Sequence, residues 1–150
     1  MNISIISLGK FKKKPPFEEI FNYYKKRINL NLDLQEVKTF NFEEKKKLFF
    51  EKTEIIKYLK PTDYIVVLDK DGNMLSSIDF SAFLKKKMIE RTKRICFLIG
   101  SELGLDLSLK KSHQIISLGK KTWPHQLVRI MLIEQIYRSL EIIKNSSYHK

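Results

Sequence analysis

The chain has 150 residues, of which 43% are hydrophobic and 11% aromatic, and this composition excludes an intrinsically disordered protein. A chain of this length predicts one domain, spanning residues 1–150, with room for a substantial core. The formal net charge of +12 favours a polyanionic partner such as nucleic acid, although a lysine-rich proteome would produce the same excess.

The cysteine content and the lengths of the apolar runs indicate the cellular compartment. Cys96 is the single cysteine, so no intrachain disulfide can form, and this fits a reducing cytosol. The apolar run at residues 3–8 is too short for a secretion signal, and no window reaches the length of a membrane span. The three histidines have no metal-ligand spacing with the cysteine. We therefore expect a cytoplasmic protein with no metal and no membrane partner.

Apolar periodicity predicts an alternation of strands and helices along the chain. The predicted strands are 2–8, 32–40, 64–68, 95–99 and 115–118, and the predicted helices are 17–30, 42–59, one starting at Ser77, 105–111 and 123–143. The runs 64–68 and 95–99 are continuously apolar, which is typical of strands covered on both faces. The pattern predicts an α/β fold with a mostly parallel five-stranded sheet and helices on both faces.

Three shorter segments carry charged or turn-forming residues. Residues 10–16 combine lysines with two prolines, and this segment either contacts phosphates or is simply a solvated loop. Asn41 is predicted to cap the second helix, whose lysines 45–47 are expected on its outer surface. Asp69 to Asn73 predicts a turn, in which Asp69 could also bind a ligand.

The last predicted helix is apolar on more than one side. Pro124 suits its first turn, because a proline lacks the N–H that would have no intrahelical partner there. Between Leu127 and Ile143 the apolar residues cannot share one narrow stripe, so more than one face must be covered. We expect the additional cover to be a second subunit.

Three predicted strands end in loops that are candidates for ligand binding. These loops begin at Leu68–Asp69, at Gly100–Gly104 and at Leu118–Trp123. Carboxyl ends of parallel strands meet at one edge of a sheet, where α/β proteins bind ligands. Each loop alone is a weak signal, because most strand–turn–helix junctions merely connect elements. Their convergence predicts one pocket.

Several motifs together resemble one family. They are Phe97-Leu98-Ile99-Gly100, the segment from Ser117 to Thr122, Pro124-His125-Gln126-Leu127-Val128-Arg129, Glu134-Gln135-Ile136-Tyr137-Arg138 and Tyr148-His149-Lys150. This pattern is similar to that of the SPOUT-class methyltransferases that methylate N3 of a pseudouridine in large-subunit (23S) ribosomal RNA. The resemblance covers the whole chain, including Ser7-Leu8-Gly9-Lys10.

The resemblance implies a C-terminal trefoil knot, a homodimer packed through the last helix, and S-adenosylmethionine as cofactor. The cofactor-binding positions it implies are Leu68, Gly100, Leu118, Gly119, Lys120, Lys121, Thr122 and Trp123. Two positions depart from the family pattern: Ser101 stands where a second glycine is usual, and Gly119 stands where a serine is usual. Ser101 would be strained if its backbone required a positive φ.

The expected reaction is attack of the pseudouridine N3 on the sulfonium methyl group, which requires loss of the N3 proton. His125 is a candidate base, and Arg129 could stabilise the resulting anion or bind a phosphate. The alternatives are that His125 caps the helix and that Arg129 pairs with a carboxylate.

Tyr148, His149 and Lys150 are expected to contact RNA, on the assembled ribosome, and in a dimer could reach the partner's pocket. A nonenzymatic RNA-binding or ribosome-associated protein of the same fold remains the rival interpretation, and cofactor binding would separate the two.

Overall fold

The computed structural model describes residues 1–11 and 16–149. The predicted phosphate-contacting loop 10–16 lies mostly outside the described residues, and Lys150 lies entirely outside them. The elements in chain order are β1 (Asn2–Leu8), α1 (Phe17–Arg27), β2 (Leu32–Val37), α2 (Glu44–Ile56), β3 (Tyr64–Met74), α3 (Ser77–Ile89), β4 (Arg94–Ile99), α4 (Leu107–Lys111), β5 (Gln114–Ser117) and α5 (His125–Ile143).

The five strands form one sheet in the order β2-β1-β4-β3-β5, and every neighbouring pair is parallel. Because all strands run in the same direction, their carboxyl ends share one edge. Leu68 of β3 pairs in register with Ile99 of β4 on one side and with Ile116 of β5 on the other. Leu68 therefore lies between the carboxyl ends of β4 and β5.

Apolar side chains alternate between the two faces of the sheet, and helices cover both. On β4, Ile95, Phe97 and Ile99 belong to the core cluster that contains residues of α1, α3 and α5. Cys96 and Leu98 belong to the opposite cluster, which contains residues of α2 and α4. This alternation follows from the two-residue period of a strand. The predicted parallel α/β sheet with helices on both faces is confirmed.

The predicted turn at residues 69–73 is wrong, because the structure continues β3 through Met74. Leu68 and Asn73 both pair with Ile116, so residues 69–72 form an insertion within the strand. At Gly72, a Cβ atom would lie 2.7 Å from the Ile115 Cγ2 atom and 2.8 Å from the backbone of Ile115 and Ile116. Glycine permits this close approach of the strand to β5.

The predicted start of the second helix is also wrong. The helix begins at Glu44 with Glu43 at the N-cap position, and no side chain caps it, so Asn41 is not the cap. β2 ends at Val37 rather than Phe40. The predicted start of α3 at Ser77 is confirmed, because the Ser76 hydroxyl accepts a hydrogen bond from the Asp79 N–H in a capping box.

α5 packs on its own sheet through part of its apolar surface only. Leu132, Ile133 and Ile136 are fully buried in the core shared with α1 and α3. Ile130 and Met131 remain half-buried. The second subunit that would cover them stays a prediction, as does the knot.

Replacing Ile136 by alanine should lower the free energy of unfolding by about 2–5 kcal/mol, since it removes a fully buried side chain. The measurement is urea denaturation at one fixed protein concentration. Ile89→Ala is the matched control, because Ile89 is 73% exposed at the end of α3. Its expected change is within about 0.5 kcal/mol. Equal losses in both variants would contradict the burial of Ile136.

Candidate functional site

The three loops predicted to converge do so around one cavity of about 300 Å³ at the carboxyl edge of the sheet. It is lined by residues 68–71, 99–104, 110, 118–119, 121–123, 125 and 128. Seven of the eight predicted cofactor-binding residues are in this wall, and Lys120 is the one that is not. The structure thus brings these residues together, while their binding of a cofactor stays a prediction.

Glycines shape the backbone of the cavity wall. At Gly100, a Cβ atom would lie 2.4 Å from the carbonyl carbon of Gly104, so a side chain would force the loop apart. Gly119 has a φ of 116°, which L residues rarely adopt. Ser101 is not among the described non-glycine residues with positive φ, so its replacement of the usual glycine causes no such strain.

A buried carboxylate on α2 holds the loop that follows β4. Glu51 is 1% exposed, and its Oε2 atom accepts a hydrogen bond of 2.8 Å from the Ser101 hydroxyl. Its Oε1 atom has no hydrogen-bond partner among the described residues and lies 3.9 Å from the Lys47 Nζ atom. Burial raises the pKa of Glu51, against the opposing effects of Ser101 and Lys47.

Lys47 links the same helix to the rim of the cavity. Its ammonium group forms an ion pair with Glu102, a residue of the cavity wall. Lys47 is only 9% exposed, so its predicted place on the outer surface of the helix is wrong. The pairing lowers the pKa of Glu102, and the nearby His125 contributes a smaller effect in the same direction.

An ion pair between Asp69 and Lys110 closes another side of the wall. The Lys110 Nζ atom lies 2.5 Å from the Asp69 Oδ2 atom, and the backbone N–H of Asp71 donates to Oδ1. Burial opposes ionisation of Asp69, but Lys110 and this N–H outweigh it and hold its pKa below the usual value. Sequence reasoning missed Lys110, because local spacing does not indicate which acidic residue the short helix will meet.

The two candidate catalytic residues occupy different environments. His125 is the first residue of α5 and lines the cavity. Arg129, one turn further on, is 1% exposed and is not among the cavity-lining residues. Its Cζ atom lies 4.7 Å from the centre of the Phe11 ring.

Each nitrogen of the Arg129 guanidinium donates to the region around the end of β1. Nε donates to the Ser7 hydroxyl at 2.8 Å, and Nη1 donates to Glu36 at 3.0 Å. Nη2 donates to the carbonyl oxygens of Leu8 and Gly9 at 3.0 and 2.7 Å. Burial lowers the pKa of Arg129, and Glu36 opposes this effect. The predicted pairing of Arg129 with a carboxylate is therefore present, while its catalytic and RNA-binding roles stay predictions.

The C-terminal residues pack back on α5 of the same chain. The Tyr148 ring lies 4.8 Å from that of Tyr137, and its hydroxyl donates to Glu134 at 3.2 Å. Burial raises the pKa of Tyr148. The His149 Nδ1 atom lies 3.3 Å from Arg138 Nη1. Neither Tyr148 nor His149 lines the 300 Å³ cavity of its own chain.

A second, more apolar cavity of about 590 Å³ lies on the other side of the Leu118–Gly119 backbone, which both cavities share. Its wall includes the half-buried α5 residues Ile130 and Met131, together with Glu134, which accepts the Tyr148 hydrogen bond. The second cavity thus extends from Leu118 and Gly119 of the first cavity to Glu134, which contacts the C-terminal tail (Tyr148 to Lys150) through Tyr148.

The comparisons with known proteins agree with the fold. The family model described as "Predicted SPOUT methyltransferase" matches residues 1–149. The chain belongs to this methyltransferase family. In the part of the chain that the structure describes, no helix is long and apolar enough to span a membrane, and no group of three acidic, histidine or cysteine side chains could hold a metal ion.

Particular relatives match the chain from end to end. It is 39% identical to a protein of Clostridium botulinum (strain Eklund 17B / Type B) named "Ribosomal RNA large subunit methyltransferase H", with 100% of both chains covered. A protein of the same name from Protochlamydia amoebophila is 35% identical over 100% of this chain and 99% of its own.

One solved structure is similar in fold. It is a probable methylase family protein from Haemophilus influenzae Rd KW20, with a TM-score of 0.55, 10% identity, and coverage of 99% of this chain and 70% of that chain. At this identity the similarity shows the fold alone.

Glu51→Gln should change how stability depends on pH. The folded protein binds the Glu51 proton more tightly than the unfolded chain, so the associated stability is present below pH 4.5 and lost as pH rises through the raised pKa. Glutamine can still accept from Ser101 but cannot ionise. In urea denaturation above pH 4.5, the stability of the native protein relative to this variant should fall as pH rises. Parallel pH profiles would contradict a raised pKa.

Proposed function

We propose that this protein transfers a methyl group from S-adenosylmethionine to N3 of a pseudouridine in large-subunit ribosomal RNA, and that it acts as a homodimer on the assembled ribosome. The observation that carries the proposal is a cavity built by three strand-end loops, in a chain that matches large-subunit ribosomal RNA methyltransferases over its full length. The net charge of +12 supports an RNA substrate.

The size of the cavity and the character of its wall support a small-molecule cofactor. Its volume of about 300 Å³ is within the range of small-molecule sites. Gly100 and Gly119 present backbone without side chains, and backbone polar groups can pair with an adenine or a carboxylate. Trp123 and Leu118 supply apolar surface for a ring system.

We assign cofactor binding to Leu68, Gly100 and the segment 118–123, which includes Lys120 although that side chain lies outside the cavity wall. When bound, the cofactor supplies an electrophilic methyl group. The remaining contributions come from the chain itself, which must exclude water, align the base and accept its N3 proton.

His125 is the proposed proton acceptor. It lies in the cavity wall, and as the first residue of α5 it is held by the helix rather than by a loop. An imidazole has the basicity to accept a proton near neutral pH. Arg129 acts in this scheme as a positioning residue, since its bonds to Ser7, Leu8 and Gly9 fix the start of α5 at the end of β1.

The proposed dimer would place the tail in the partner's site. Within one chain, Tyr148 and His149 pack against α5 and are absent from the wall of the cofactor cavity. The half-buried Ile130 and Met131 provide the apolar surface that a second copy would cover. A partner docked there would lie close to the cavity that shares Leu118 and Gly119 with the cofactor site. Tyr148, His149 and Lys150 would then contact RNA.

The activity is tested by incubating the protein with labelled S-adenosylmethionine and ribosomes from a strain that lacks this gene. Large-subunit RNA is then digested, and its nucleosides are separated by mass spectrometry. We expect label on pseudouridine in ribosomes and none in free transcripts. Failure of the protein to bind the cofactor would overturn the enzymatic proposal and favour a nonenzymatic RNA-binding protein.

Replacing His149 and Lys150 together by alanine should reduce methyl transfer by at least about tenfold, equivalent to about 1.4 kcal/mol of lost interaction in the transition state. The affinity for S-adenosylmethionine, measured by calorimetry, should be unchanged because neither residue is assigned to the cofactor site. Lys144→Ala removes one positive charge from the exposed end of α5 and serves as the control. Equal loss of cofactor binding and transfer would count against a role in RNA binding.

A further inference from the structure

Four phenylalanines form an aromatic cluster on the surface at α2 and the segment before it. This phenylalanine patch consists of Phe40, Phe42, Phe49 and Phe50. The rings of Phe40 and Phe42 are stacked, with centroids 5.4 Å apart and planes at 17°. Phe50 lies 5.3 Å from Phe42 and 5.6 Å from Phe49, so the four rings are contiguous.

Three of the four rings of the patch are exposed, Phe40 is half-buried, and none belongs to a core cluster. Phe42 is 40% exposed, Phe49 55% and Phe50 37%. None of these rings is among the residues packed in the two cores that hold the sheet. Large apolar side chains gathered on a surface are characteristic of an interaction site, whereas isolated ones need no explanation.

Lysines border the rings of the patch. The Lys46 Nζ atom lies 4.5 Å from the centre of the Phe42 ring, Lys38 lies 5.2 Å from that of Phe40, and Lys52 lies 5.7 Å from that of Phe49. An apolar protein surface docked on the patch would remove water from these ammonium groups, at a cost in free energy. A single-stranded nucleic acid instead offers bases that stack on rings and phosphates that pair with ammonium groups.

The patch lies on the helix that supports the rim of the cofactor cavity. On α2, Glu51 binds Ser101 and Lys47 pairs with Glu102, and both partners line that cavity. Lys52 lies 3.6 Å from Asp106, which follows the same loop. The same helix therefore carries part of the patch and holds the rim of the cavity.

We propose that the phenylalanine patch binds an unpaired RNA segment flanking the methylated nucleotide, by stacking bases on its rings and pairing phosphates with Lys38 and Lys46. This inference rests on the proposed RNA substrate. It adds to that proposal a second contact surface, on α2, which is separate from the tail and from the cofactor cavity.

The test is fluorescence anisotropy with the full-length protein and a fluorescein-labelled single-stranded RNA dodecamer. Replacing Phe42 and Phe49 together by alanine should raise the Kd at least about fivefold, the lower end of the effect of losing one stacked base. Ile56→Ala is the matched control, since Ile56 is 50% exposed on the same helix and has no ring. Phe49→Trp preserves a stacking surface and should retain the affinity.

Several outcomes would overturn the inference. An unchanged Kd in the double variant would do so, and would leave a protein partner as the occupant of the patch. An equal loss in Ile56→Ala, or an equal loss for a duplex of the same sequence, would exclude base stacking. Circular dichroism and S-adenosylmethionine affinity, which should match those of the native protein, show that the double variant is folded.

The failure of this inference is distinguishable from failure of the proposed function. If the native protein methylates ribosomes and the double variant has the same KM for them, only the phenylalanine patch is excluded. If the native protein transfers no methyl group but its RNA affinity depends on Phe42 and Phe49, the RNA surface stands and the proposed enzymatic function fails.

Discussion

The buried guanidinium of Arg129 is the interaction on which the arrangement of the site depends. A buried charge is tolerated only when it is paired and hydrogen-bonded, and Arg129 meets this requirement with Glu36, Ser7 and two backbone carbonyls. These partners lie on β1, β2 and the residue that follows β1. The start of α5 is thereby fixed at β1, the second strand from one edge of the sheet, although the preceding strand, β5, lies at the opposite edge.

This constraint explains why the cavity forms where it does. To pass from β5 to the end of β1, the chain must cross the carboxyl ends of β3 and β4, which lie between them in the strand order. The crossing segment, residues 118–124, supplies much of the wall, and residues 68–71 of β3 and the loop after β4 supply most of the rest. Gly72 and Gly100 allow the close backbone approaches that this crowding requires.

α2 and α5 have different roles around the cavity. α2 holds the loop after β4 through Glu51 and carries the phenylalanine patch on its exposed side. α5 presents His125 to the cavity at its start, and Tyr148 and His149 pack against its residues 134–138. The cofactor cavity shares Leu118 and Gly119 with the apolar cavity that is proposed to face the partner subunit. The loop after β4, which also lines the cofactor cavity, is held by the helix that carries part of the proposed RNA-binding patch.

Local apolar periodicity was sufficient to predict the alternation of elements, the parallel sheet and the three segments that border the cavity, since parallel strands present their carboxyl ends at one edge. It also carried the motifs that resemble the methyltransferase family. The extension of β3 through residues 69–73 could not be predicted in this way, because the contact of Gly72 with β5 joins residues that are distant in sequence. The burial of Arg129 and the pairing of Lys110 with Asp69 were decided in the same way. The partner of a charged side chain depends on which elements the fold brings together, and no local pattern encodes that choice.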